Sequence, residues 1–251
     1  MESNYSVKPT QPLQATVSKK FVLYPYASWY FALAIAVTVT GFSRSYFGRL
    51  GEVTIFHHIH GATAGAWMLV LIIQPILYKK GRLNLHRKLG RVASFTLVPL
   101  LILGGSKMIE LMLSGASNYP PGVPYQLSFI DVYSLLLFLL CFTLAIRNSH
   151  NIHLHARYMA CTVLIVLPPA LVRLLFLLPW FHTFNQTLNA SFIIVEIVLL
   201  LLIADDKRKG KFRKPYLIAL ALFIILHVSM NYAGDWLWWQ SLMNKYASLN
   251  F

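Results

Sequence analysis

VTIFHHIHGATAGAWMLVLIIQPILY, residues 53–78, carries three histidines but no Lys, Arg, Asp or Glu across 26 positions. At a rise of 1.5 Å per residue a helix of that length measures about 39 Å, enough to cross a hydrocarbon layer about 30 Å thick. A helix of a water-soluble protein would carry a polar stripe along its whole length, whereas here the polar residues gather in the first third, Gln74 excepted. Six further runs have the same character: 22–42, 89–113, 126–146, 157–180, 188–204 and 216–234, the sixth run of the chain being the shortest. The fold class is therefore all-α, a polytopic seven-helix transmembrane bundle over 22–234. A tail over 1–21 precedes it. The segment DWLWWQSLMNKYASLNF, 235–251, reads as an interfacial helix on the outer surface.

Composition points the same way. Of the 251 residues 57% are apolar and 12% charged, and the mean hydropathy is +0.58, outside the range of soluble domains. A formal net charge of +14 raises the question of nucleic acid, but the cations lie in short segments between apolar runs instead of on one soluble face, so no nucleic-acid partner is expected. Lys8, Lys19 and Lys20 precede the first run. Lys79, Lys80, Arg82, Arg87, Lys88 and Arg91 follow the second, Arg147 and Arg157 the fourth, and Lys207, Arg208, Lys209, Lys211, Arg213 and Lys214 the sixth. That places 17 of 22 on one side; the other side keeps Arg44, Arg49 and Lys245. By the positive-inside rule the N-terminus is cytoplasmic and the C-terminus outside, in the bacterial inner membrane. The basic loops are also suited to contact anionic phospholipids. The first apolar run reads as an uncleaved signal anchor, and Cys141 and Cys161, placed on the reducing side, read as core residues rather than a disulfide.

Ionisable residues inside a span are costly and mark a partner, a cavity or a function. With this topology His57 and His60 enter span two from outside, and Lys107 and Glu110 end span three. Asp131 begins span four, Arg173 lies late in span five, Glu196 two turns into span six and His227 two turns below the end of span seven. All fall in the outer half. Lys107 and Arg173 against Glu110, Asp131, Glu196 and Asp235 leave an excess of two negative charges, which a divalent cation, protonated histidines or neutral carboxyls could each offset, so the count favours a cation site. His57, His60, Gly61 and Ala64 share one helix face, and His227, Asn231 and Asp235 recur at i, i+4 and i+8. The pair Pro168–Pro169 should kink span five and free carbonyls beside Arg173. A second histidine group, His86 with His150, His153 and His155, belongs to the cytoplasmic side. The blander assignments are interfacial for His58 and His182, a structural ion pair for Lys107 and Glu110, and a helix cap for Asp131.

The HxxxG start of span two (His57, Gly61), Gln74, the segment HRKLGR (His86, Arg87, Gly90, Arg91) and HARYM (His155, Arg157, Tyr158, Met159) followed by Arg173 resemble a bacterial family of predicted multi-span membrane proteins of unknown function. The resemblance spans residues 53–230 and implies a multi-pass membrane protein without implying an activity. A retinal protein would need a Schiff-base lysine in span seven, and 216–234 contains none. The chain is similar to ceramidase-type and progestin-receptor-type zinc hydrolases in having histidines on an early span and the last, but their last-span HxxxH is here His227 and Asn231.

Three functions follow as expectations. The first is a membrane redox protein with haem b, held by His60 with His227 and by His86 with His155. Its non-haem form would hold iron, zinc or manganese through His57, His60 and His227 with Glu110, Asp131 or Glu196. The second is a proton-coupled small-solute transporter in which Glu110, Asp131, Arg173 and Glu196 line a path and titrate. The third is a zinc-dependent intramembrane hydrolase or a structural subunit of an assembly. Oligomeric state is not encoded in any of these features.

Overall fold

The computed structural model describes residues 24–210 and 212–249; the expected tail over 1–21 and Lys211 lie outside the described residues. Nine α-helices occur among those described: α1 Ala27–Gly41, α2 Ile55–Lys79, α3 Leu83–Ser114, α4 Val123–Arg147, α5 Ile152–Val166, α6 Pro168–Leu175, α7 Phe184–Arg208, α8 Lys214–Ala233 and α9 Leu237–Ala247. The chain is thus all-α. Five helices, α2, α3, α4, α7 and α8, are long and apolar enough to cross a membrane, and a sixth span results if α5 and α6 are taken together. The remaining apolar helix, α1, has 15 residues, about 22 Å of helix at 1.5 Å per residue.

Large apolar side chains in mid-helix face outward from the bundle: Phe95 is 79% exposed, Leu103 63%, Leu136 62% and Leu201 64%. In water each would forfeit about 1.5–3 kcal/mol of burial, so lipid is the medium this surface suits.

Helix ends differ from the apolar runs where polar residues continue the helix. α3 begins at Leu83 and absorbs HRKLGR. α7 extends to 25 residues because Thr183 and Gln186 form a reciprocal capping box at its start and ADDKR continues its last turns. The fifth run breaks as expected: α5 and α6 meet at 41°, where Pro168 and Pro169 supply no N–H for the preceding turn.

In the interior α2 lies on α1 and α3, α4 on α3, α5 and α8, and α7 on α6 and α8. Trp67 of α2 is 3% exposed; its ring meets Phe138 and Phe142 of α4 edge-on at 5.4 and 5.8 Å, and its indole N–H donates to Thr162 Oγ1 of α5 at 3.3 Å. Cys141 and Cys161 are free thiols buried in this same core. α9 packs on α3 and α4. Trp239 donates to the Tyr125 carbonyl at 2.8 Å and Tyr246 to the Ser106 carbonyl at 2.8 Å, while Leu237 and Trp238 face outward. Burial pushes the Tyr246 phenol above its ordinary range.

Gly41 ends α1 against the backbone of α6, where an added Cβ would run into the Ala170 carbonyl oxygen. Gly41→Val should therefore push α1 from α6 at a cost of about 1–3 kcal/mol. A thermal melt in detergent reads it, and an unchanged midpoint would show that the contact yields freely.

Candidate functional site

The two ends of the bundle carry different chemistry. One holds α9, the start of α2 and the ends of α3 and α8; the other holds the basic connections.

At the α9 end the six helices do not deliver their polar groups to one point. His57 engages Thr54 Oγ1, the residue before α2, at 2.8 Å, and His58 engages the Tyr46 hydroxyl at 2.9 Å. His60 lies against α3, its Nδ1 buried without a hydrogen-bond partner and 3.0 Å from where a Cβ on Gly104 would stand. Gly104 is what lets the imidazole approach that helix. One turn on, Lys107 pairs with Glu110 at 2.6 Å and lies 5.1 Å above the Phe56 ring, with Glu110 only 5% exposed.

Arg173 forms a second group. It donates to the Pro169 carbonyl at 2.7 Å, one of the acceptors beside the proline break, and to Ser45 Oγ at 3.2 Å. Its guanidinium lies 4.4 Å from the centre of the Phe42 ring, and Asp131 is near enough for the two charges to attract.

The third group joins α7 and α8. His227 Nδ1 meets Glu196 Oε1 at 2.8 Å and its Nε2 meets Asn189 Oδ1 at 3.1 Å, so neither ring nitrogen is left for a metal. Asp235, expected to continue that stripe, lies past the end of α8 and is exposed. α2 packs on α1 and α3, and α8 on α7, α4 and α5, so His60 and His227 face different partners. Among the described residues no three of His, Cys, Asp and Glu converge to hold a metal ion.

The basic end does bring two predicted ligands together. The rings of His86 on α3 and His155 on α5 have centroids 6.4 Å apart at an interplanar angle of 69°. His86 Nδ1 faces the Gln74 carbonyl at 3.3 Å and His155 Nδ1 the Ala145 carbonyl at 2.9 Å. Ala145 is in the last turn of α4, where carbonyls lack helical partners. A carbonyl only accepts, so each Nδ1 carries the proton and, in the neutral ring, each Nε2 carries the lone pair. Gln74 braces His86 a second time, donating from Nε2 to the His86 carbonyl at 3.2 Å, while its Oε1 is buried with no hydrogen-bond partner. Gly90 keeps this arrangement open, since a Cβ there would stand 3.1 Å from Gln74 Nε2.

Beside it lies a cluster that the sequence hides. Arg157, 2% exposed, forms a bidentate pair with Asp206, also 2% exposed; the Nε–Oδ2 bond is 2.7 Å and the second runs from Nη2 to Oδ1. Tyr24 donates to Asp206 Oδ1 at 3.2 Å, Tyr216 donates to the Tyr24 oxygen at 3.3 Å, and Arg157 Nη1 donates to the His153 carbonyl at 2.8 Å. Arg157 reads in the sequence as a topological cation, and nothing singles out Asp206 within ADDKRKGK. The trace that was available is Arg157 inside HARYM.

No family model matches the chain, and comparison with curated proteins and with solved structures yields no match.

Proposed function

We propose that the protein is a multi-pass membrane redox protein that binds haem b between His86 and His155. The observation that carries this reading is the neighbouring pair of imidazoles, each with Nδ1 tied to a backbone carbonyl. Such a bond fixes the tautomer and orientation of a metal-binding histidine and raises its basicity. His86 and His155, with ring centroids 6.4 Å apart, are the two residues that would hold the haem iron. Haem would bring most of its own nitrogen donors and would ask the protein for two more, which His86 and His155 would supply. A non-haem ion asks for three or four side chains, and no such group occurs among the described residues.

When bound, haem supplies one-electron transfer. The protein's own part is to hold both rings by Gln74 and Ala145 and to exclude water with the Trp67, Phe138 and Phe142 core deeper in the bundle. Arg82, Arg87 and Arg91 flank His86 in sequence and provide a cationic setting for two propionates.

In this reading the chain spans a bacterial inner membrane seven times. α1 is the first span, α5 with α6 the fifth, and the basic end lies in the cytoplasm, where it meets anionic headgroups. Purification after haem-replete expression tests the function. The expected result is a Soret band, one haem per chain by pyridine haemochromogen assay and a low-spin spectrum. A protein without a Soret band overturns the reading.

A further inference from the structure

We propose that Glu196 and His227 form a single-proton binding site between α7 and α8, with Asn189 fixing which ring nitrogen takes part. The site is separate from the histidine pair at the basic end and does not depend on haem.

Hydrogen-bond polarity leads to this assignment. Asn185, Asn189, Phe192 and Glu196 recur on one face of α7, and His227 and Asn231 on the facing side of α8. Asn189 Nδ2 donates to the Asn185 carbonyl at 2.9 Å, which can only accept, so the amide orientation of Asn189 is determined. Asn231 is determined likewise, because its Nδ2 donates to the His227 carbonyl at 2.8 Å. Asn189 Oδ1 therefore accepts from Asn231 Nδ2 at 3.1 Å and from His227 Nε2 at 3.1 Å. Nε2 must bear a hydrogen.

The Nδ1–Glu196 contact of 2.8 Å then needs one proton and has room for one. Placed on the carboxyl, it gives two neutral partners; passed to Nδ1, it gives a carboxylate facing an imidazolium. Both forms have zero net charge, and only a proton moves between Oε1 and Nδ1. Without that proton a carboxylate would face a ring lone pair, two acceptors with no hydrogen between them.

The surroundings keep the pair isolated. Phe192 stacks on the His227 ring at 5.4 Å and 27°, and the two side chains are 16 and 17% exposed. α8 also packs on α4 and α5, and α7 on α6. The titratable groups these helices carry are Tyr125, Asp131, Tyr133, Cys141 and Arg147 on α4, His153, His155, Arg157, Tyr158 and Cys161 on α5 and Arg173 on α6. Tyr133 donates to the Leu222 carbonyl at 3.1 Å, Arg157 is committed to Asp206, and Arg173 and Asp131 attract one another. Glu196 is thus the charged partner in hydrogen-bond contact with His227.

Nitrogen NMR of 15N-histidine-labelled full-length protein in phospholipid bilayers tests the assignment. His227 is identified by its loss in His227→Gln, or by correlation with labelled Val228 should that variant not assemble. From about pH 5 to 8 the expected His227 signal shows a protonated Nε2 and an Nδ1 in a strong hydrogen bond. Glu196→Gln should abolish the strong-bond shift, and Asn189→Leu should turn one tautomer into a mixture. A bare Nε2 in the unaltered protein overturns the proposal by itself, as does an Nδ1 signal unmoved by Glu196→Gln. A single tautomer retained in Asn189→Leu removes the positioning role of Asn189. None of these readouts changes with haem content.

Discussion

Asp206→Ala is expected to destabilise the protein by about 3–5 kcal/mol, the cost of leaving a buried guanidinium without its counter-ion. Both partners are 2% exposed, so solvent cannot substitute for the lost carboxylate. Asp206 lies in the last turn of α7, where the helix dipole disfavours a carboxylate, and Arg157 compensates it. Unfolding of the variant by denaturant in mixed micelles, compared with the unaltered protein, measures the difference. The double replacement Arg157→Met with Asp206→Leu removes both charges and should recover most of the loss, because a packed apolar pair is often neutral or better than a buried ion pair. A double variant as unstable as the single one would show that Tyr24 and Tyr216 depend on the charges for their placement.

His155→Ala and His86→Ala should each lower bound haem at least about tenfold relative to the unaltered protein, the low end of the range for losing a group that orients a metal ligand and so a lower bound for losing a ligand itself. Gln74→Leu leaves the His86 ring in place but removes the brace on its backbone carbonyl, and should shift the reduction potential with haem retained. His60→Ala and His227→Ala should leave haem content unchanged. Pyridine haemochromogen assays on the five proteins separate these outcomes, and full haem retention in both His86→Ala and His155→Ala would remove the ligand assignment.

The long apolar helices were readable in the sequence because each is a long apolar run, and α2, α4 and α8 fall where those runs lie. Helix ends were less readable, since a capping box at Thr183 and the charged turns after Ala204 extend α7 beyond any apolar window. The site was readable only along one coordinate. Positive-inside counting assigns His60, Glu110, Asp131, Glu196 and His227 a common depth, but not the direction each faces. Packing decides that, sending His60 toward Gly104 and His227 toward Glu196. His86 and His155 escaped this difficulty because both open helices at the same end. Asp206 was invisible for the opposite reason: 49 residues from Arg157 and beside an exposed Asp205, it has no local pattern to mark it as buried.

The contact of Tyr24 with Asp206 and Tyr216 sets the order in which the chain is completed during synthesis. Its members are 182 and 192 residues apart, so at about 5–20 residues per second a nascent α1 waits on the order of ten to forty seconds for its anchor. For the 49 residues between them, about 2.5–10 seconds of that interval, Arg157 is already made and Asp206 is not. A ribosome stalled just before residue 206 would therefore hold a bundle that lacks α8 and α9 and whose fifth helix carries an unanswered cation.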